Sequence, residues 1–407
     1  MLKRISIDDL SIGMYVEAVT KQTGAAKIKT RGRVGSQKVI DKLRAQGILQ
    51  LAIDPENVLP QQKTEQTPAA APESEAVPEP APEPKVEIDP TKRTVGFEQE
   101  VGKASQLYSQ AKKLQKLAFA DALSGRKINT KGMEKVASGF IDSVFRNQDA
   151  LTCMTQLKEK DDYLLEHSVN VSILMTILAK HMKLDKERIH ELATGALLHD
   201  IGKVKIDDKI LHKPGKLTKP EMKEMQKHAL YTREILQNAD GIAPVSLEVA
   251  CNHHERLDGS GYPRGLTAEK ISIPTRMIAI VDSYDAMTAD RCYKDGMNPI
   301  NAFKLLKRDI KTCFDETVVN LFIQAIGIHP VGTLVQLKSQ KLGIVIQTNF
   351  VDPLKPVVKV FYHAKFNHHT EIRDIDLTQS NDSIESCVKP ESFKIDLKKF
   401  FKTAVLR

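Results

Sequence analysis

Between His199 and Lys294 the chain strings histidines and carboxylates along what otherwise reads as helix. The segments are HDIGK at 199–203, KPGKLT at 213–218, a lone His228, NHHERLDGSGYPRGL at 252–266 and VDSYDAMTADRCYK at 281–294. Imidazoles and carboxylates in helical, half-apolar surroundings are costly to bury unless a cation or a hydrogen-bonding partner compensates them. A fold for this chain must therefore gather them around something, and their pattern points to a metal site with a phosphate site attached.

The residues upstream follow the same logic. A helix predicted over about Asp161 to His181 puts His167 on one stripe with Val171, Leu174, Met175 and Leu178, so His167 points into the core. A helix over about Lys186 to His199 carries the His199-Asp200 pair at its apolar C-terminal end, after Ala196, Leu197 and Leu198. Neighbouring helical residues lie about 100° apart, so each can reach a different ion, and an aspartate has two oxygens with which to bridge both. Lys203 falls on the same side one turn later. His228 belongs to a helix predicted from Lys219 to Leu236, His253 and His254 follow a helical stretch from Pro244 to Cys251, and Asp282 interrupts the apolar run Met277 to Val281. Asp285 competes with Asp282 as a ligand, and its neighbours also allow it a capping role. The count of candidate ligands is five histidines (His167, His199, His228, His253, His254) and two aspartates (Asp200, Asp282). A nitrogen and oxygen set without thiolates suits iron, manganese, nickel or zinc, and seven ligands are too many for one ion and right for two. Two ions close together serve in-line hydrolysis of a phosphodiester.

The flanking sequence sets the domain plan. Residues 1–62 have short alternating apolar runs around a helix-like piece at Ser36 to Gln46, a small α+β module. Residues 63–92 are rich in Pro, Ala and Glu and have little to bury, the composition of a disordered tether. Residues 93–330 read as helix, with helices expected near Thr94 to Ser124 and Asn129 to Arg146 before the ligand-bearing ones. Residues 331–407 turn to β alternation, a strand-rich appendage whose His368-His369 pair lacks ligands at helical spacing and is expected to be exposed. Five widely spaced cysteines without a CxxC pair fit reduced packing thiols, and neither a membrane-length apolar run nor a secretory leader is visible, so the chain is expected to stay in the cytoplasm. The net charge of +8 fits a solvated basic surface rather than a nucleic-acid polymer as partner.

Taken together, EHSVNV around His167, HDIGK, KPGKLT with His228 beyond it, HHERLDGSGYP and VDSYDAMTADRCYK resemble the HD-GYP phosphodiesterases, a branch of the HD metallohydrolases that degrades the bacterial second messenger cyclic di-GMP. The DLSIGMYV segment is similar to the small domain of unknown role often found ahead of them. The resemblance implies a mainly helical catalytic domain between the α+β module and the β-rich appendage, with the seven residues ligating two ions bridged by Asp200. It implies that Lys203 assists at the scissile phosphate, that Arg291 and Lys294 bind phosphates with Asp285 in their reach, and that Gly261, Tyr262 and Pro263 border the substrate. Cyclic di-GMP would be cut to pGpG and, by a second cleavage, to GMP. Tyr163 stands where some members have a glutamate ligand for a third ion, so two ions are expected, iron or manganese before nickel or zinc. Thr232 and Asp207 replace a glycine and a proline of the family and are expected to narrow the pocket. The alternatives are a receptor that binds the dinucleotide without useful turnover and an enzyme for another cyclic dinucleotide; the N-terminal module is the expected contact for a partner protein or a second copy.

Overall fold

The computed structural model describes residues 2–11, 14–23, 32–34, 37–45, 47–54, 89–157, 163–290, 296–393, 395–397 and 400–401. The expected tether falls almost wholly at 55–88, outside the described residues, as do Arg291 and Lys294. The chain divides into two units, Met1–Pro84 and Lys85–Arg407.

In the first unit, β1 (Lys3–Ser6), β2 (Tyr15–Gln22), β3 (Gly32–Arg33) and β4 (Ile48–Asp54) form an antiparallel sheet in the order β1-β4-β2-β3, with α1 (Gln37–Ala45) between β3 and β4 in sequence. Ile40 and Leu43, one turn apart, share a buried core with Val16, Leu51 and Ile53.

In the second unit the described residues include the helices α2 (Phe97–Leu123), α3 (Thr130–Gln156), α4 (Tyr163–His181), α5 (Lys186–Leu198), α6 (Asp208–Leu211), α7 (Lys219–Gln226), α8 (His228–Gln237), α9 (Pro244–Asn252), α10 (Ile273–Thr288), α11 (Pro299–Arg308) and α12 (Glu316–Ile326). An antiparallel sheet follows, with β5 (Leu334–Leu337), β6 (Lys341–Gln347), β7 (Val357–His363), β8 (His368–Asp376) and β9 (Ile384–Cys387) in the order β8-β7-β6-β5-β9. Helix α4 is the axle. It packs against α2, α3, α5, α10 and α12, and every residue from Glu166 to Lys180 is buried. A helix buried on all sides must partner its polar groups internally, and its position carries His167 into the core of the unit.

Two helices differ from the expected spans. Helix α3 runs past Arg146 to Gln156 across a kink at Asn147 (φ −162°, ψ 102°), whose side chain accepts from the Asp149 amide and donates to the Val95 carbonyl. The span expected from Lys219 to Leu236 is two helices, with Lys227 as the turn residue that caps α7 and precedes α8 at His228.

The strands share the helical core: Val335, Ile344, Val345, Val358 and Phe361 lie in one apolar cluster with Phe322 and Ile326 of α12. Arg93 ties the layers polarly, with Nε 2.7 Å from Asp149 Oδ2 and a guanidinium nitrogen 2.8 Å from the Thr348 carbonyl. His368 and His369 are exposed on β8. Among the described residues, no helix is long and apolar enough to cross a membrane.

Candidate metal centre

The helix ends do most of the positioning. His199 is the C-cap of α5 and His253 that of α9, while His228 opens α8 after the turn at Lys227. At each of these ends the carbonyl three residues back is within reach of the ring: Nδ1 of His199 lies 2.7 Å from Ala196 O, that of His228 2.7 Å from Met225 O, and that of His253 2.8 Å from Ala250 O. A carbonyl can only accept, so the proton sits on Nδ1 in all three and each Nε2 presents a lone pair.

Those lone pairs converge. Nε2 of His228 and Nε2 of His253 are 3.2 Å apart, and Nε2 of His199 is 3.3 Å from Nε2 of His167. Two neutral imidazoles facing each other by their lone pairs repel, and protonation is opposed for His228 and His253. Burial holds His228 down at about 4 and pushes His253 and His254 well below the usual histidine range. Between the pairs lies Asp200. Its Oδ2 is 3.4 Å from His199 Nε2 and 3.7 Å from His167 Nε2, while its Oδ1 is 3.6 Å from His228 Nε2 and 3.9 Å from His253 Nε2. Asp200 Oδ1 is buried without a hydrogen-bond partner. Imidazole nitrogens gathered this closely around a buried carboxylate with an orphaned oxygen are the donor set of a divalent-cation site.

Asp282, on α10, closes the cluster, with Oδ1 3.0 Å from His167 Nε2 and Oδ2 3.7 Å from His254 Nδ1. Groups able to hold an ion are thus His167, His199 and Asp282, then His228, His253 and His254, with His199, Asp200 and His253 between them. Burial opposes ionisation of Asp200 and Asp282, yet Lys203, His199 and His228 hold Asp200, and His167, His254 and His199 hold Asp282, well below the usual carboxylate range. Lys203 Nζ is 2.6 Å from Asp200 Oδ2 and remains partly open to solvent. His167 is the exception among the rings: burial would lower it, but hydrogen bonds to Asp282 and Asp285 raise it to about 9, so binding an ion there releases a proton.

The Gly-Tyr-Pro loop covers one side. The Tyr262 ring lies 4.5 Å from that of His254 and 6.1 Å from that of His228. Gly261 is obligatory here, since a Cβ would meet the His254 carbonyl at 2.6 Å and also overlap Arg256 N and Glu255 Cα. Pro263 follows through a cis bond.

Three expectations need correction or completion. Asp285 is not presented to a substrate: it is 1% exposed, with Oδ2 2.8 Å from His167 Nδ1 and Oδ1 accepting from Asn170. Thr232 does not narrow a pocket, because it is fully buried and its hydroxyl accepts from the Gly202 amide and donates to the His199 carbonyl, stitching α8 to the turn after Asp200. Asp207 caps the short α6. The Tyr163 side chain, like Arg291 and Lys294, lies outside the described residues.

Sequence reasoning missed Glu255. It is 1% exposed and its two oxygens accept from the Arg264 and Leu266 amides, each at 2.8 Å, closing the loop that carries Tyr262. Its signal was its place between two histidines and a loop rich in amide donors. Glu255→Ala leaves two donors without partners, and denaturant unfolding is expected to show a loss of about 2 kcal/mol. Glu255→Gln keeps one acceptor and is expected to lose about half as much; equal stability in both variants would show that the carboxylate does not hold the loop.

Comparison with known proteins was made against this geometry. The HD domain profile matches residues 151–318, and a domain of unknown function (DUF3391) matches residues 2–133. Over 367 residues, 90% of this chain and 86% of the relative, the sequence is 36% identical to the cyclic di-GMP phosphodiesterase PA4108 of Pseudomonas aeruginosa. The chain belongs to the HD-GYP family. Other relatives match over shorter spans. The cyclic di-GMP phosphodiesterase of Thermotoga maritima is 34% identical over 47% of this chain and 53% of its own. The 3'3'-cGAMP-specific phosphodiesterase 1 of Vibrio cholerae is 41% identical over 37% of this chain and 35% of its own.

Proposed function

We propose that this HD-GYP chain hydrolyses the phosphodiester bonds of cyclic di-GMP, giving pGpG and then GMP, in a centre holding two divalent ions. The observation that carries the reading is the two close imidazole pairs, His167 with His199 and His228 with His253, that face different oxygens of Asp200, the one toward His228 and His253 being without a hydrogen-bond partner. His167, His199 and Asp282 would hold one ion and His228, His253 and His254 the other, with Asp200 shared. When bound, the ions, iron or manganese before nickel or zinc, supply Lewis acidity to water and to the phosphoryl oxygens.

The chain's own groups do the rest. Asp200 keeps one oxygen toward each half of the cluster, which fixes the spacing between the halves. Lys203 spends one N–H on Asp200 and has two others with which to neutralise or protonate the departing oxygen. The Tyr262 ring shields the His228 and His254 side from bulk water. Arg291 and Lys294, one turn apart in sequence, are proposed to orient the phosphates. The relatives specific for 3'3'-cGAMP favour a second reading, the same chemistry on a mixed cyclic dinucleotide.

The test is product formation by anaerobically prepared protein supplied with manganese(II) or iron(II), on cyclic di-GMP and 3'3'-cGAMP in parallel. Faster hydrolysis of cyclic di-GMP, lost on chelation and restored by metal, is the expected result. Faster hydrolysis of 3'3'-cGAMP would install the second reading, and dinucleotide binding without hydrolysis by metal-loaded protein would make the chain a receptor.

A further inference from the structure

The histidines of the centre are not held alike. His199, His228 and His253 sit at helix ends and give Nδ1–H to a backbone carbonyl, whereas His167 lies inside α4, where the carbonyls of the preceding turn serve the helix itself. It needs a side-chain partner. Helix α10 provides one through Asp282 and Asp285, which lie one turn apart on one face: Asp282 Oδ1 is 3.0 Å from Nε2 of the ring and Asp285 Oδ2 is 2.8 Å from Nδ1. The ring is clasped at both nitrogens by one helix. Asp285 is itself fixed from behind, since Asn170 Nδ2, one turn beyond His167 on α4, donates to its Oδ1 at 3.2 Å. The Tyr108 hydroxyl of α2 donates to Asn170 Oδ1 at 2.8 Å, which sets the orientation of that amide. All five side chains are buried.

We infer that Asp285 is a positioning residue for His167 and that it makes the two ion positions unequal, the position beside His167, His199 and Asp282 binding the tighter ion. This rests on the two-ion reading above. A carboxylate behind an imidazole fixes its tautomer and raises its basicity as a ligand more than a carbonyl does. Asp285 reaches this half alone and Asp282 lies closer to it, with one oxygen 3.0 Å from His167 Nε2 and the other 3.7 Å from His254 Nδ1, while Asp200 is divided between the halves. An HD-GYP chain built this way fills its sites in order and loses the His228 side first.

The experiment is a manganese(II) titration, by calorimetry, of the full-length chain stripped with chelator, beside Asp285→Asn and Tyr108→Phe. Wild type is expected to show two steps. Asp285→Asn should weaken the tighter step about 10- to 100-fold and leave the weaker one within about threefold. Tyr108→Phe, which removes only the far hydroxyl, should move the same step in the same direction by less. His228→Ala should erase the weaker step, assigning it. Both steps unmoved in Asp285→Asn, or both weakened equally, would overturn the inference. Should Asp285→Asn fail to fold, an unmoved tighter step in Tyr108→Phe would overturn it as well. A wild-type chain binding fewer than two ions contradicts the proposed function instead, and contradicts this inference too if its remaining step is unmoved by Asp285→Asn.

Discussion

Asp200→Asn is expected to lower turnover by at least about a thousandfold, equivalent to about 4 kcal/mol of transition-state stabilisation. The two oxygens of Asp200 face different imidazole pairs, and an amide keeps only one acceptor for the two of them. Its NH2 would point a donor at one proposed ion position, and the lost charge leaves Lys203 without its 2.6 Å partner. The variant remains folded, because the pocket keeps its volume and the protein loses a buried charge that is costly without metal. Its bound metal should fall to one ion per chain or fewer. Near-normal turnover with full metal content in Asp200→Asn would mean that Asp200 is not shared between the ions.

The second large effect is expected from a residue with no side chain. Gly202 lies in the turn after Asp200, and a Cβ there would overlap the His228 carbonyl and the Thr232 amide and stand 2.7 Å from Thr232 Oγ1. Two of the three obstacles are backbone, so no rotamer change relieves them. Gly202→Ala must part the turn bearing Asp200 and Lys203 from the start of α8 bearing His228. Overpacking of this kind is expected to cost about 3 kcal/mol. A shift of about 1 Å across a catalytic centre is expected to cost a further hundredfold or so in activity. Thermal denaturation in chelator reads the first effect and metal-loaded turnover the second. An alanine variant with unchanged midpoint and turnover would show that the close crossing is not what fixes the two halves of the centre.

The gathering of these imidazoles and carboxylates into one buried cluster was legible in the sequence because both are poor core residues. His199-Asp200, His253-His254 and Asp282 each break an apolar run, and a broken run asks for a compensating partner. The strand alternation after Pro330 was legible for the same kind of reason, since period 2 is visible without tertiary context. What escaped were residues whose meaning depends on what they face. Asp285 reads as a partner for Arg291 and Lys294 by spacing, and only the packing of α10 on α4 turns it to His167. Glu255 reads as part of a charged turn, but the loop folds back and offers it two amides. Thr232 reads as a bulkier glycine, and its hydroxyl proves to be the stitch between α8 and the turn after Asp200. The break at Lys227 was invisible for a related reason: apolar periodicity continues across it, while the turn there sets the Met225 carbonyl 2.7 Å from His228 Nδ1.

The central claim is that the buried cluster holds two ions, and elemental analysis of the protein purified without oxygen or chelator tests it most directly. The account predicts two equivalents of transition metal per chain, falling to one or fewer in Asp200→Asn. A fully active chain with one equivalent, with three, or with none would contradict it.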